Sequence, residues 1–153
     1  MIKILFICHG NICRSPMAEY IMRDKLEKSG LGALVQVSSA ATSREEIGNP
    51  VYPPAKKVLE QFGIKCDGHH ARQVKVSDYD EYDFIIGMDS ANMRGLMRGF
   101  GGDPLNKLHL MSTYATSYSG DVEDPWYTGE YEKVRRQIAD GCEGLLWVLK
   151  KIV

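Results

Sequence analysis

The sequence predicts a small doubly wound α/β domain, with a central four-stranded parallel sheet and helices on both faces. Three observations predict it. Strand and helix signals alternate along the chain, the strand segments are continuous apolar runs, and no repeat, low-complexity tract or linker divides the 153 residues. A strand that is apolar at every position has to be buried on both faces, which is the condition of a parallel sheet covered by helices. A chain of this length buries about two thirds of its unfolded surface in one core, so a single domain over residues 1–153 requires no metal or disulfide.

Each element follows in order. Ile2 to Cys8 holds the run Ile4-Leu5-Phe6-Ile7 and reads as a buried strand. Pro16 to about Lys28 reads as a helix with Met17, Ala18, Ile21, Met22 and Leu26 inward, Ser15 as its N-cap, Pro16 as its first residue, and Ser29-Gly30 as its end. Leu34 to Val37 is a second, shorter strand. A long polar loop from Ser39 to Pro53 precedes a helix over Pro54 to Phe62, for which Gly63 is a good stop. Loops of that length are often functional. Asp83 to Met88 is a third buried strand, and Asp89 caps a helix from Ser90 to about Arg98. Lys107 to Leu110 reads as the fourth strand, followed by a loop over Met111 to Thr128. The last helix carries Tyr131, Val134, Ile138, Cys142, Leu145 and Leu149 at steps of three and four, a stripe that makes Cys142 a core residue.

The densest chemistry lies where the first strand ends, at Cys8-His9-Gly10-Asn11-Ile12-Cys13-Arg14-Ser15. A thiol facing the N-terminus of the next helix meets unpaired N–H groups and the positive end of the macrodipole. Such surroundings favour an anion, so Cys8 is expected to act as a thiolate. Gly10 and Asn11 are the residues best able to take left-handed angles, and they lie where the loop must curl its N–H groups into a nest. Arg14 follows after five intervening residues, close enough for its fork to share a phosphate with Cys8. Ser15 offers a hydroxyl to the Cys8 sulfur as well as a cap. A thiolate to attack phosphorus, N–H groups for the equatorial oxygens and an arginine to gather the developing charge are what a cysteine-dependent phosphatase needs. In doubly wound folds ligands bind beyond the carboxyl ends of strands at a switch in strand order, and Cys8 ends the first strand.

A thiolate attacking a phosphate ester needs a partner to protonate the departing oxygen and then to activate water. Asp124, in Asp121-Val122-Glu123-Asp124-Pro125-Trp126-Tyr127, is the candidate, because Pro125 biases it toward an extended backbone. The neighbouring Asp121 and Glu123 and a bound phosphate would favour its protonated form. Trp126 and Tyr127 can line a slot for a flat aromatic leaving group.

Nineteen basic against twenty acidic residues leave a net charge of −1, so no global field favours nucleic acid or an anionic membrane. The apolar N-terminal run is too short for a signal sequence, nothing approaches a membrane span, and a cytoplasmic monomer is expected. The four cysteines, at 8, 13, 66 and 142, fit no zinc spacing and are few for a disulfide scaffold. Reduced thiols and no metal or other cofactor are therefore expected. Cys8 and Cys13 share one tight loop and could form a reversible disulfide; Cys13 read alone is equally a buried core thiol.

At these residues the chain resembles the low-molecular-weight protein tyrosine phosphatases. Their loop pattern C-x-G-N-x-C-R-S-P is matched by Cys8 to Pro16, and their acid-loop pattern D-P-aromatic by Asp124-Pro125-Trp126. The likeness runs end to end, through Ala71-Arg72-Gln73, the Met88-Asp89 strand end and the closing helix. It implies a phosphocysteine mechanism without metal, with Cys8 as nucleophile, Arg14 as phosphate clamp and Asp124 as general acid, then base. It further implies that Asn11 and Ser15 join His69 in a hydrogen-bond network shaping the loop, that Asp89 orients the arginine, and that the partners are phosphotyrosine proteins, a tyrosine kinase among them. Read from the sequence alone, Asp89 is equally a helix cap and His69 a turn residue. Two departures stand out. Alanines occupy the place near Ser38 to Thr42 where relatives carry a glycine, and Arg44-Glu45-Glu46 stands where many put an aromatic wall of the substrate cleft. Tyr52 is the candidate substitute, and Glu45-Glu46 reads more simply as solvated charge.

Related activities use the same loop. Thioredoxin-coupled arsenate reductases need further cysteines as a relay, for which Cys66 and Cys142 are poorly placed. In protein arginine phosphatases a threonine stands where this chain has Ile12, whose side chain instead offers an apolar floor to a phenyl ring. A phosphate-binding module without turnover would lose the nucleophile or the acid, and both are present.

Overall fold

The strand that carries Cys8 is central because its core is apolar in both directions. β1 (Ile2–Cys8) pairs in parallel with β2 (Val35–Ala41) on one side and with β3 (Phe84–Gly87) on the other. β4 (Leu108–Leu110) adds outside β3, giving an all-parallel sheet of four strands in the order β2-β1-β3-β4. The structure is a computed structural model and describes every residue, Met1–Val153. Six helices surround the sheet: α1 (Arg14–Lys28), α2 (Pro53–Glu60), α3 (Asp78–Glu81), α4 (Ser90–Phe100), α5 (Pro125–Thr128) and α6 (Tyr131–Ile152), with a 3₁₀ turn at Met111–Tyr114. No helix is long and apolar enough to cross a membrane.

The period of two along β1 divides the core. Ile4 and Phe6 belong with Met17 and Met22 of α1 and Ile138, Cys142 and Leu145 of α6, whereas Leu5 and Ile7 belong with Tyr79, Tyr82 and Leu96 on the opposite face. Burial of one such side chain contributes roughly 1.5–3 kcal/mol, and both faces of β1 collect it. Gly144 lets α6 approach the 3₁₀ turn, since a Cβ there would collide with the Tyr114 carbonyl. The chain leaves β1 for β2 on one edge and later returns to β3 on the other, so the switch in strand order falls at the carboxyl end of β1, at Cys8.

Several boundaries differ from the expected ones. β2 is not short: it runs to Ala41, because Ser38, Ser39, Ala40 and Ala41 find partners in Leu5, Phe6, Ile7 and Cys8. The alanines in place of a glycine fit, since Ala41 is extended and its N–H and C=O are taken by Arg72 O and Val74 N, each at 2.8 Å. α1 begins at Arg14, with Cys13 as its N-cap and no side-chain cap. Ser15 is therefore not the cap and Pro16 is not the first helical residue; the ring still costs no hydrogen bond, because the N–H it lacks belongs to the unpaired first turn. α2 starts one residue early, at Pro53, and ends two residues early, at Glu60, so that Gly63, with φ +72°, turns the chain beyond the helix instead of stopping it. α4 extends to Phe100 and stops on Gly101. The helix α3 and the two short turns within 111–128 carry no long apolar period and were not anticipated.

Candidate active site

Between β1 and α1 the chain makes one tight curl, and its geometry depends on Asn11. Asn11 has φ +60°, the left-handed turn of the loop; Gly10 does not share it. A Cβ at Gly10 would meet Cγ of Glu46 at 3.4 Å, an ordinary contact, so the stem of Glu46 lies over Gly10. The Asn11 N–H donates to Cys8 Sγ at 3.3 Å, and the Ser15 hydroxyl lies 3.0 Å from the same sulfur. Ser15 Oγ already accepts from Asn11 Nδ2 at 2.8 Å, which leaves its own proton free for the sulfur.

Asn11 is in turn fixed on every side. Its Nδ2 also donates to Ser39 Oγ at 2.9 Å, its Oδ1 accepts from the Arg72 N–H at 3.1 Å, and its backbone carbonyl accepts from His69 Nε2 at 2.8 Å. Since a carbonyl can only accept, His69 carries its proton on Nε2. Ser39 passes the chain outward by donating to Glu19 Oε1 at 2.5 Å, and Glu19 pairs with Arg23. The sulfur of Cys8 thus ends a continuous polar relay whose inner members Asn11, Ser15, Ser39 and Glu19 are all buried. An unpaired polar group there would cost about 1–3 kcal/mol, so the relay holds the loop in one shape.

Arg14 is 2% exposed and is aimed by three acceptors. Its Nη1 donates to Asp89 Oδ2 at 2.6 Å and to the Val122 carbonyl at 3.0 Å, and its Nη2 lies 3.4 Å from Asp124 Oδ2. Burial opposes its charge, but the Cys8 sulfur, the Asp89 hydrogen bond and the Asp89 and Asp124 charges outweigh that, and its pKa moves further up. Asp89 serves twice: Oδ2 holds Arg14 while Oδ1 caps α4 by accepting from Asn92 N at 2.7 Å. Helix cap and partner of the arginine, alternatives in the sequence, are here one carboxylate. Burial, then the neighbouring Cys8 and Asp124, push the Cys13 thiol up to about 12, so Cys13 is a neutral thiol at physiological pH.

Asp124 caps α5 through a bond from the Trp126 N–H to Oδ1 at 3.0 Å, leaving Oδ2 toward Arg14. Neither neighbouring carboxylate is bonded to Asp124: Asp121 accepts from Ser90 N and Oγ, both at 2.9 Å, and Glu123 pairs with Lys133 at 2.5 Å. Arg14 is the charge that Asp124 faces.

These groups open into one cleft of about 560 Å³. Cys8, Ile12, Cys13 and Arg14 are its buried members, Ile12 the large apolar one, Asp124, Trp126 and Tyr127 form one side, and His9, Gly10, Glu45 and Glu46 complete it. Asn11, Ser15, His69 and Asp89 support the loop without lining the cleft. The His9 side chain turns outward to Glu45 Oε2 at 2.9 Å, while its carbonyl is held by Ser43 N and Oγ. Tyr52 is not a wall of the cleft; it stands beside Trp126, ring centres 4.7 Å apart, because α2 holds it in the next groove. Glu46 is not simply solvated, and Ser39, Glu19 and the Val122 carbonyl were missed. A charge at Glu19, on the inward face of α1 between Ala18 and Met22, was the available signal; Ser39 was hidden by the reading of its segment as loop.

Fold and site together define a doubly wound α/β protein with a phosphate-loop cysteine at its strand-order switch. The family model for low molecular weight phosphotyrosine protein phosphatase matches residues 3–153, and the chain belongs to that family. It is 44% identical over 153 residues to the low molecular weight protein-tyrosine-phosphatase YfkJ of Bacillus subtilis, covering 99% of this chain and 97% of the relative. The low molecular weight phosphotyrosine protein phosphatase of Schizosaccharomyces pombe is 40% identical over 130 residues, 84% of this chain and 83% of its own. The crystal structure of YfkJ superposes with a TM-score of 0.96 at 41% identity, over 99% of this chain and 96% of that one. The crystal structure of the protein tyrosine phosphatase from Entamoeba histolytica does so with 0.93 at 30%, over 99% and 98%.

Proposed function

We propose that this chain hydrolyses phosphotyrosine in proteins without a metal, through a phosphocysteine intermediate. The observation that carries the reading is the placement of Cys8 and Asp124 on one arginine: Asp124 lies 3.4 Å from Arg14, and all three line a single cleft. In the first step the Cys8 sulfur attacks phosphorus, the S–P bond forms as the P–O bond to tyrosine breaks, and the departing oxygen takes the proton of Asp124. In the second, Asp124 takes a proton from water as the water oxygen attacks phosphorus, and the S–P electron pair returns to Cys8. The Ser15 hydroxyl and Asn11 N–H are placed to receive that charge on sulfur. Arg14, with two N–H groups directed by Asp89 and Val122, gathers the equatorial oxygens.

Ile12 in the cleft lining and the exposed rings of Trp126 and Tyr127 favour a phenyl group over a guanidinium. The test is full-length protein in chelator, assayed on phosphotyrosine, phosphoserine and phosphoarginine peptides beside Cys8→Ser and Asp124→Asn. Phosphotyrosine turnover is expected to fall about 10⁴-fold or more in Cys8→Ser and about 10²–10⁴-fold in Asp124→Asn. Turnover surviving in Cys8→Ser sinks the mechanism, and preference for phosphoarginine sinks the substrate assignment.

A further inference from the structure

A second depression of about 510 Å³ adjoins the cleft and shares Ile12, Glu46 and Trp126 with it. The rest of its surface is largely apolar, from Pro50, Val51 and the ring of Tyr52 beside Trp126. Glu46 carries its only carboxyl group. The stem of Glu46 is laid over Gly10, and Asn49 Nδ2 donates to its Oε2 at 2.6 Å, so the carboxylate is fixed at the junction of the two depressions with Oε1 free of any protein donor. Glu45 differs: it is engaged by His9 and stays out of this groove. No lysine or arginine of the chain lines the groove to neutralise Glu46.

An apolar trough with one fixed carboxylate, continuous with a phosphotyrosine cleft, matches a side chain that is aliphatic along its stem and cationic at its tip. We propose that this groove is the subsite for a lysine or arginine flanking the phosphotyrosine of the substrate, and that Glu46 is the residue selecting it. The proposal rests on the phosphatase reading above. An acidic flanking residue would meet Glu46 at close range and be rejected, so selection works by repulsion as well as attraction.

The test uses phosphotyrosine peptides with Lys, Ala or Glu placed in turn at each near position on either side of the phosphotyrosine. They are assayed for kcat/KM with wild type, Glu46→Gln and Glu46→Lys, with phenyl phosphate as the substrate that has no flank. At one position the Lys peptide is expected to exceed the Glu peptide about fivefold in wild type, the scale of one partly exposed ion pair. That ratio should shrink with added salt, fall toward one in Glu46→Gln and reverse in Glu46→Lys. Because the ratio is taken within each enzyme, a general loss of activity in a variant does not disturb it. A ratio under about twofold at every position, in protein that hydrolyses phenyl phosphate and the Ala peptide, overturns the subsite and leaves the phosphatase reading standing. A ratio that survives in Glu46→Gln overturns it too. Failure of wild type to hydrolyse any phosphotyrosine substrate overturns the reading beneath both.

Discussion

Between Cys8 and Ser15 the working groups come from one short stretch, are mostly buried, and have the side chains of Asn11, Arg14 and Ser15 held by several partners each; across the cleft, Glu45, Trp126 and Tyr127 come from two distant segments and stand largely in water. Asn11 alone makes four hydrogen bonds through its side chain and carbonyl. Tyr127 is 83% exposed, and the Glu45 side chain is held by a single bond from His9. The difference teaches where variation is tolerated. A change in the loop leaves buried donors and acceptors orphaned, whereas a change on the rim exchanges one solvated group for another.

The strongest challenge to that contrast is Arg14→Lys. A lysine keeps the charge but loses the fork that spans Asp89, Val122 and a bound phosphate, and kcat/KM should fall about 10²–10³-fold. Near wild-type kinetics would mean that the guanidinium geometry is dispensable and the loop less demanding than its hydrogen bonds suggest. Asn11→Ala comes next. It removes the side-chain bonds to Ser15, Ser39 and Arg72 and puts a strained left-handed angle on alanine, so urea denaturation should show a loss of roughly 1–3 kcal/mol. Its kcat should drop more than its KM rises, because the damage falls on the sulfur's surroundings. Glu45→Gln is the smallest. The His9–Glu45 pair lies between side chains 52% and 67% exposed, and its loss should shift stability by no more than about 0.2–1 kcal/mol in the same titration. A larger loss would show that the rim, too, is structurally committed.

Much of this was readable from the chain because the informative residues were adjacent. The apolar run before Cys8, the Asn11 turn, Arg14, and the Asp124-Pro125-Trp126 order signalled the strand end, the tight loop and the residues that meet in one cleft without any knowledge of the fold. Local signals failed where a partner strand or a distant side chain decided the outcome. Ser38 to Ala41 carries too little apolar character to announce a strand, yet it is one because β1 lies alongside. Ser15 reaches the sulfur as expected but does not cap α1, which begins one residue ahead of it.

The sequence by itself determined the doubly wound class, the candidates for nucleophile, clamp and acid, and the core stripe of α6, since each depends on residue type and short spacing. Only the tertiary structure decided what those residues lean on: Asp89 on Arg14 across 75 positions of sequence, Ser39 and Glu19 behind Asn11, Tyr52 beside Trp126, and Glu46 at the junction of cleft and groove. The reason is physical. Propensity and periodicity act over a few residues, whereas a buried hydrogen bond or a shared pocket is fixed by packing that brings distant segments together.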